Sequence, residues 1–480
     1  MSNNKAHEDH QYASNRLTPT QGVVVVIVPF PAQGHLNQLL QLSRHVATRG
    51  IPVHFVGTAT HNRQAKVRVH GWNPNSLSNI HYHDIANIPP FLSPPPNPTN
   101  STTNFPCHLL PSAHATRHLR EPTAALLHRL SSEARRVVVV HDSLMAYVVQ
   151  DVASFENAES FAFQSVSAFT VSMFFKDVMG KAIEPLEHEA NVKIPEHVPS
   201  IEGCFTREVV DFLESQSQFD ELSSGYLFNT SRVIEKPYMD LLDKILVSKK
   251  NWAIGPFNPV ELVEKKVSND RHMCLEWLDE QAPRSVVYVS FGTSTTFTDE
   301  QIEELALGLE QSEQKFIWVL RESDRGDVFG EVRKLELPKG YEERVRNLGI
   351  VVRDWVPQLE ILGHRSTGGF LSHCGWNSCM ESITMGVPIG AWPMHSDQPR
   401  NAVLVTAVLG IGTVVRDWNR RGELAMASTI AEGVRRLMAS KEGEEMRKRA
   451  EELGGAVRKS VGEGEVSRLE LDSFIAHITR

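Results

Sequence analysis

Cysteine is scarce and odd in number: Cys107, Cys204, Cys274, Cys374 and Cys379 in 480 residues, with no CxxC pair and no zinc-type spacing. A disulfide framework and a cysteine-based metal site are excluded, and a reducing compartment is expected. Positive charge is not in excess, with 49 Lys and Arg against 58 Asp and Glu for a net charge of −9. A chain so balanced has no general attraction for nucleic acid or anionic lipid. Long hydrophobic runs are missing too. The apolar run at residues 23–28 ends at Pro29, far short of the roughly 20 residues a membrane helix needs. Residues 1–20, which include Glu8 and Asp9, hold no apolar stretch of the kind a signal peptide requires. These absences predict a cytoplasmic protein with a flexible tail over residues 1–20, no nucleic-acid partner and no stable membrane insertion.

What is present is a globular composition. A 41% hydrophobic content with 30 glycines supports a real core, and the length suggests two large domains or about three ordinary ones. Residues 23–30 form a β-branched run, as in a strand buried on both faces of a parallel sheet. After the loop 31–34, apolar positions at Leu36, Leu39, Leu40, Val46 and Ala47 trace a helical stripe that stops at Gly50, and residues 51–56 make the next strand. Four valines at 137–140 form another strand, ending in His141-Asp142-Ser143. A second βα series begins at residues 285–291, with a Gly/Ser/Thr loop at 292–298, a helix at 299–311 and further strands at 316–320, 349–352, 370–372 and 387–391. Residues 256–270 read as a linker, and Ser467-Arg468-Leu469-Glu470 as a capping box opening the last helix. The proline-rich segment 88–106 has no regular structure, and a binding loop and a disordered loop both fit it.

Residues 355–398 carry the strongest local chemistry. His373-Cys374-Gly375-Trp376-Asn377-Ser378 follows an apolar strand and precedes a helical pattern containing Glu381. A helix N-terminus offers unpaired N–H groups and a positive dipole end, Gly375 admits close approach, and His373, Asn377 and Ser378 add donors, which together suit a diphosphate. Glu381 can accept both hydroxyls of a ribose, and Trp355 offers a flat face for a base.

These 44 residues, WVPQ…HCGWNSCMES…GVP…W…DQ, resemble the nucleotide-sugar signature box of plant UDP-dependent glycosyltransferases. Residues 274–279 (CLEWLD), 285–292 (SVVYVSFG) and 30–37 (FPAQGHLN) extend the resemblance over nearly the whole chain after the tail. Within the family, WPMHSDQPRNAVLVT is similar to the zeatin O-glycosyltransferase branch. The resemblance implies an α/β fold of GT-B type, two Rossmann-like domains facing each other across a cleft. It places an acceptor-binding domain at residues 21–255, a UDP-sugar-binding domain at 271–460, and a C-terminal helix at 461–480 packing back on the first domain. It further implies that Trp355 stacks on uracil, that Gln358 and the Val356 backbone bind its edge, and that Glu381 takes the ribose. His373, Gly375, Asn377 and Ser378 would hold the phosphates with help from Ser290 and Thr293, while Trp376, Asp397 and Gln398 face the sugar. A terminal Gln in the box goes with glucose donors, although close relatives accept xylose.

The resemblance assigns the catalytic base to His35, and elementary chemistry agrees. Transfer to an alcohol needs a group that is neutral near pH 7 yet able to take a proton. Asp142, at the end of a strand, is its natural partner, fixing the tautomer and stabilising the imidazolium. A helix N-terminus is expected to lower the pKa of His35. No Asp-x-Asp triplet occurs, so the expected reaction is metal-independent, inverting transfer from UDP-glucose as co-substrate, by a monomer that needs no cofactor. A zeatin-type side-chain hydroxyl is the expected acceptor. A flavonoid or other phenolic, xylosyl transfer, and a silent nucleotide-sugar binding protein remain alternatives. Phe161, Phe163, Phe169, Phe174 and Phe175 suit either an acceptor pocket or a core. His81 and His83 are expected on a solvated strand, the charged stretch 441–460 on an exposed helix, and Gly410-Ile411-Gly412 lacks the third glycine of a dinucleotide fingerprint.

Overall fold

The computed structural model describes residues 22–69, 71–86, 110–200, 204–262, 271–292, 297–321 and 336–480. Thirteen strands among them form two wholly parallel sheets. The first contains β1 (Val23–Val28), β2 (Val53–Thr58), β3 (Ile80–Ile85), β4 (Arg136–Asp142), β5 (Ala158–Gln164), β6 (Ser223–Phe228) and β7 (Lys250–Ala253), in the order β3-β2-β1-β4-β5-β6-β7. The second contains β8 (Val286–Ser290), β9 (Lys315–Val319), β10 (Gly349–Val352), β11 (Thr367–Ser372), β12 (Ile389–Ala391) and β13 (Gly412–Val414), in the order β10-β9-β8-β11-β12-β13. Every pairing is parallel. These are the two Rossmann-like sheets of the expected GT-B fold.

Valine-rich β1 and β4 are buried along both faces because helices cover both sides of the sheet. Each fully buried Val stabilises the fold by about 1.5 kcal/mol or more. In both sheets the strand order reverses beside the first strand, between β1 and β4 and between β8 and β11. Ligand sites in open α/β sheets collect at the carboxyl ends of strands flanking such a reversal. One hydrophobic cluster runs across the junction of the two sheets, joining Phe169, Tyr238 and Met239 to Trp376, Met380 and Ile383.

Several local expectations change. The helix after β1 is Gln33–Ala47, so residues 33 and 34 belong to its first turn and not to a loop. The last helix, Val466–Thr479, has no side-chain cap. Ser467 bonds Ser231 and Ser460 instead, at 2.8 and 2.9 Å, and Glu470 pairs with Arg232 at 2.7 Å. Tertiary partners have claimed both residues of the capping pattern. That helix packs Leu471, Phe474 and Ile478 into the core beneath the first sheet, beside Phe161 and Trp252. The charged helix Lys441–Ser460 is amphipathic rather than simply exposed, burying Met446, Ala450 and Val457. Phe257, inside the expected linker, is buried in the first sheet's core, and residues 263–270 lie outside the described residues, as do the tail 1–20 and the loop 88–106.

Candidate active site

His35 is the third residue of the helix that follows β1, and Asp142 ends β4, the neighbouring strand. Because Val28 pairs with His141 across this ladder, the two side chains meet at the first sheet's reversal point. His35 Nδ1 lies 2.7 Å from Asp142 Oδ2. The other carboxylate oxygen accepts the Leu144 N–H at 3.0 Å, so the fully buried Asp142 is aimed by the backbone. A carboxylate can only accept, hence Nδ1 carries the proton and Nε2 keeps its lone pair. The imidazole packs edge-on to Phe30 and remains 23% exposed, opening into a cleft of about 400 Å³ between the sheets.

The expected lowering of the His35 pKa by the helix end is not what the environment produces. Burial disfavours the imidazolium, but the charge and hydrogen bond of Asp142, with a smaller contribution from Asp397, more than offset it, and the group titrates above its ordinary value. A carboxylate at contact distance outweighs a helix dipole, which is equivalent to only about half a charge.

The second sheet's reversal point is built differently. Ser290 ends β8 opposite Ser372 at the end of β11. The chain then turns through His373, Cys374 and Gly375 into the helix Trp376–Met385. Cys374 holds a φ of 64°, uncommon for a residue with a side chain, and its N–H is pinned by Ser372 Oγ at 3.1 Å. The His373 ring lies in a slot between two glycines: a Cβ at Gly292 would stand 2.7 Å from Nε2, and one at Gly375 2.5 Å. Burial lowers the His373 pKa to about 4, so the ring is neutral at pH 7. Its Nδ1 is buried with no hydrogen-bond partner among the described residues, at a cost of roughly 1–3 kcal/mol. The N-cap residue, Gly375, brings no side chain to the helix start, and the first turn of the helix forms part of the cleft wall. This arrangement suits an anion.

Trp355, Val356, Gln358, Ser378 and Glu381 line the same cleft. Gln358 Nε2 donates to Glu381 Oε2 at 2.7 Å and to Ser378 Oγ at 3.1 Å, while its Oε1 accepts from the Tyr288 hydroxyl at 3.1 Å. Trp355 carries two guanidiniums over its ring, Arg68 at 5.0 Å and Arg321 at 5.3 Å. Asn377 Nδ2 donates to the Gly34 carbonyl at 2.7 Å, tying the two reversal points together. Trp376 is almost fully buried, and its indole N–H donates to the Asn229 carbonyl at 2.9 Å, again bridging the sheets. Burial pushes the Asp397 carboxyl up to about 6, although Asn401, at 2.7 Å, and the charge of His35 act the other way. Gln398 Oε1 accepts the Met394 and His395 amides at 3.0 and 3.2 Å. All the expected site residues therefore converge except Thr293, which lies outside the described residues.

Sequence reasoning missed Tyr288, Arg68, Arg321, Asn229 and Asn401: Tyr288 and Asn401 stand inside stretches already singled out, and Asn401 is one helical turn from Asp397, whereas Arg68, Arg321 and Asn229 stand in unremarkable sequence contexts and reach the site through the two sheets. The apolar end of the cleft includes Leu144, Phe174, Phe205, Val209 and Phe212. Of the phenylalanine-rich segment only Phe174 reaches this wall. Phe161, Phe163 and Phe169 are core, and Phe175 packs against the cluster joining the sheets. His83 is not simply solvated, since His54 Nδ1 lies 2.8 Å from its Nε2. Among the described residues no group of three or more His, Cys, Asp or Glu is placed to hold a metal ion, and none of their helices is long and apolar enough to cross a membrane.

Known proteins share this architecture. Residues 21–259 match the family model described as "Glycosyltransferase, N-terminal domain", and residues 261–429 the one described as "UDP-glucoronosyl and UDP-glucosyl transferase". The chain is 56% identical to zeatin O-glucosyltransferase of Phaseolus lunatus, over 95% of this chain and 97% of that protein. It is 55% identical to zeatin O-xylosyltransferase of Phaseolus vulgaris, over 95% and 98%. Among solved structures it is similar to a UGT transferase from Siraitia grosvenorii in complex with UDP, at 27% identity and a TM-score of 0.74, covering 95% of this chain and 100% of that one.

Proposed function

The chain belongs to the UDP-glycosyltransferase family, and from that premise we propose that it transfers glucose from UDP-glucose to the side-chain hydroxyl of a zeatin-type cytokinin, with inversion at the anomeric carbon. The observation that carries the mechanism is the 2.7 Å His35–Asp142 pair opening into the cleft that the donor box lines. The acceptor O–H proton passes to His35 Nε2 as the oxygen bonds to the anomeric carbon. The bond from that carbon to the diphosphate oxygen breaks on the opposite face, and UDP leaves. Asp142 stabilises the imidazolium so formed.

The donor roles follow the expectation. Trp355 stacks on the base, Val356 and Gln358 take its edge, and Glu381 takes the ribose. His373, Gly375, Asn377 and Ser378, with Ser290 and Thr293, hold the diphosphate, and Trp376, Asp397 and Gln398 face the sugar. Residues 21–255 receive the acceptor, 256–270 link the halves, 271–460 bind the donor, and 461–480 pack back on the first half. The enzyme works as a cytoplasmic monomer without a metal. The likeness to the Phaseolus enzymes supports the acceptor, and the apolar cleft wall fits a small lipophilic one.

The test is a mass-spectrometric product assay with UDP-glucose or UDP-xylose against trans-zeatin, cis-zeatin, dihydrozeatin and several flavonoids, with and without EDTA. A hexosyl zeatin formed equally well in EDTA is expected. The similarity to the xylosyltransferase favours pentose transfer as the second reading, and a pentosyl product alone would establish it. Flavonoid products alone would sink the cytokinin acceptor, and UDP binding without any turnover would leave a nucleotide-sugar binding protein.

A further inference from the structure

The donor in this reading is a dianion, yet the side chains assigned to its phosphates carry no charge at pH 7. His373 is held neutral by burial, Asn377 and Ser378 are uncharged, and the Asn377 amide already serves Gly34. The described residues lining the cleft include two guanidiniums and no lysine, and both guanidiniums, Arg68 and Arg321, rest on Trp355. Arg68 is the last residue of the helix Ala59–Arg68, which packs on the first sheet. It reaches Trp355 across the cleft from the acceptor side. It is nearly buried, and its Nη1 lies 3.4 Å from Gln33 Oε1, two residues before His35 in the chain. A cation and a nucleobase compete for the face of an indole, so a base that stacks on Trp355 displaces a guanidinium from it. The guanidinium then has a doubly charged, oxygen-rich partner in the same cleft, and arginine is well suited to phosphate oxygens.

We propose that Arg68 is a donor-binding residue contributed by the acceptor-side domain: when the base takes the face of Trp355, the Arg68 guanidinium gives up that ring and turns onto the diphosphate. The assignment rests on the donor reading above. It makes nucleotide binding a bridge between the two halves, because the base is held from one sheet and part of the phosphate charge is met from the other.

Uridine and UDP separate the two parts of this exchange, since uridine competes for Trp355 but offers no phosphate. Both are titrated calorimetrically into the full-length wild type, Arg68→Gln and Arg68→Lys. In Arg68→Gln, UDP affinity falls about tenfold or more, as expected for a lost charge-assisted hydrogen bond, while uridine binds as in the wild type or more tightly. Arg68→Lys recovers part of the loss. Unchanged UDP affinity overturns the proposal. Equal weakening of both ligands overturns it as well, because Arg68 would then only support the fold of the cleft, and equal tightening would reduce it to a placeholder. A wild type that binds no UDP fails the donor reading itself, which these variant outcomes do not.

Discussion

The two reversal points have the same topology and opposite chemistry. Between β1 and β4, two titratable side chains face one another at 2.7 Å, each made useful by the other. Between β8 and β11, there is a neutral imidazole slotted between glycines, a helix that starts at a glycine, and a ring nitrogen with no partner among the described residues. Proton transfer needs a base whose affinity for a proton is raised, and the buried carboxylate of Asp142 supplies that. Diphosphate binding needs close approach and donors already in place, and Gly292, Gly375 and the helix Trp376–Met385 suit that. One crevice is specialised by adding a charge partner, the other by removing side chains.

Substitutions at the first point should affect turnover, and those at the second should affect the donor. The largest expected effect is from His35→Ala, which lowers kcat by about 10²-fold or more while UDP affinity measured by calorimetry stays near wild type. A near-normal kcat would remove His35 from its role, and a matching loss of UDP affinity would erase the contrast between the two points.

Asp142→Asn should follow, with a loss in kcat of about 10²-fold and a displaced pH profile. The sign is fixed by the direction of the His35 shift. Its pKa is raised, chiefly against burial, by Asp142, and only the neutral ring accepts a proton. Wild-type kcat/KM therefore climbs with pH through a value above the ordinary imidazole range, and in Asp142→Asn this acid limb moves to lower pH even though the plateau is lower. An unmoved limb would show that another group governs it, Asp397 being the nearest with its carboxyl pushed up to about 6.

Gly375→Ala is the smallest of the three and probes the other point. Gly375 has an ordinary extended backbone, φ −61° and ψ 141°, so alanine brings no backbone strain. Its methyl group instead meets His373 Nε2 at 2.5 Å and moves the ring. The donor KM should rise about tenfold, the scale of one lost hydrogen bond to a charged group, with kcat at saturating donor little altered. A loss in kcat alone would mean that His373 does not act through donor binding.

Much of this was legible in the sequence because it is encoded locally. Valine runs specify strands buried on both faces, and the spacing from His373 to Glu381 places a phosphate-type turn and a carboxylate on one short helix. The pairing of His35 with Asp142 was legible only as strand-end logic aided by family resemblance, since 107 residues separate them. The failures were equally physical. The capping pattern at Ser467 was overridden by Ser231 and Arg232 from another part of the chain, and the helix-dipole expectation for His35 was overridden by Asp142, the partner the sequence already offered.

Local order, then, was set by the sequence itself: which segments are strands and helices, where glycine must stand, and which residue types end each strand. The tertiary structure alone decided what those ends face, because contacts between β1 and β4, or between Arg68 and Trp355, depend on strand order and on how two sheets meet across a cleft. It also set the charge state of each group. His35 is raised and His373 lowered, because folding brings carboxylates to the first ring and none to the second.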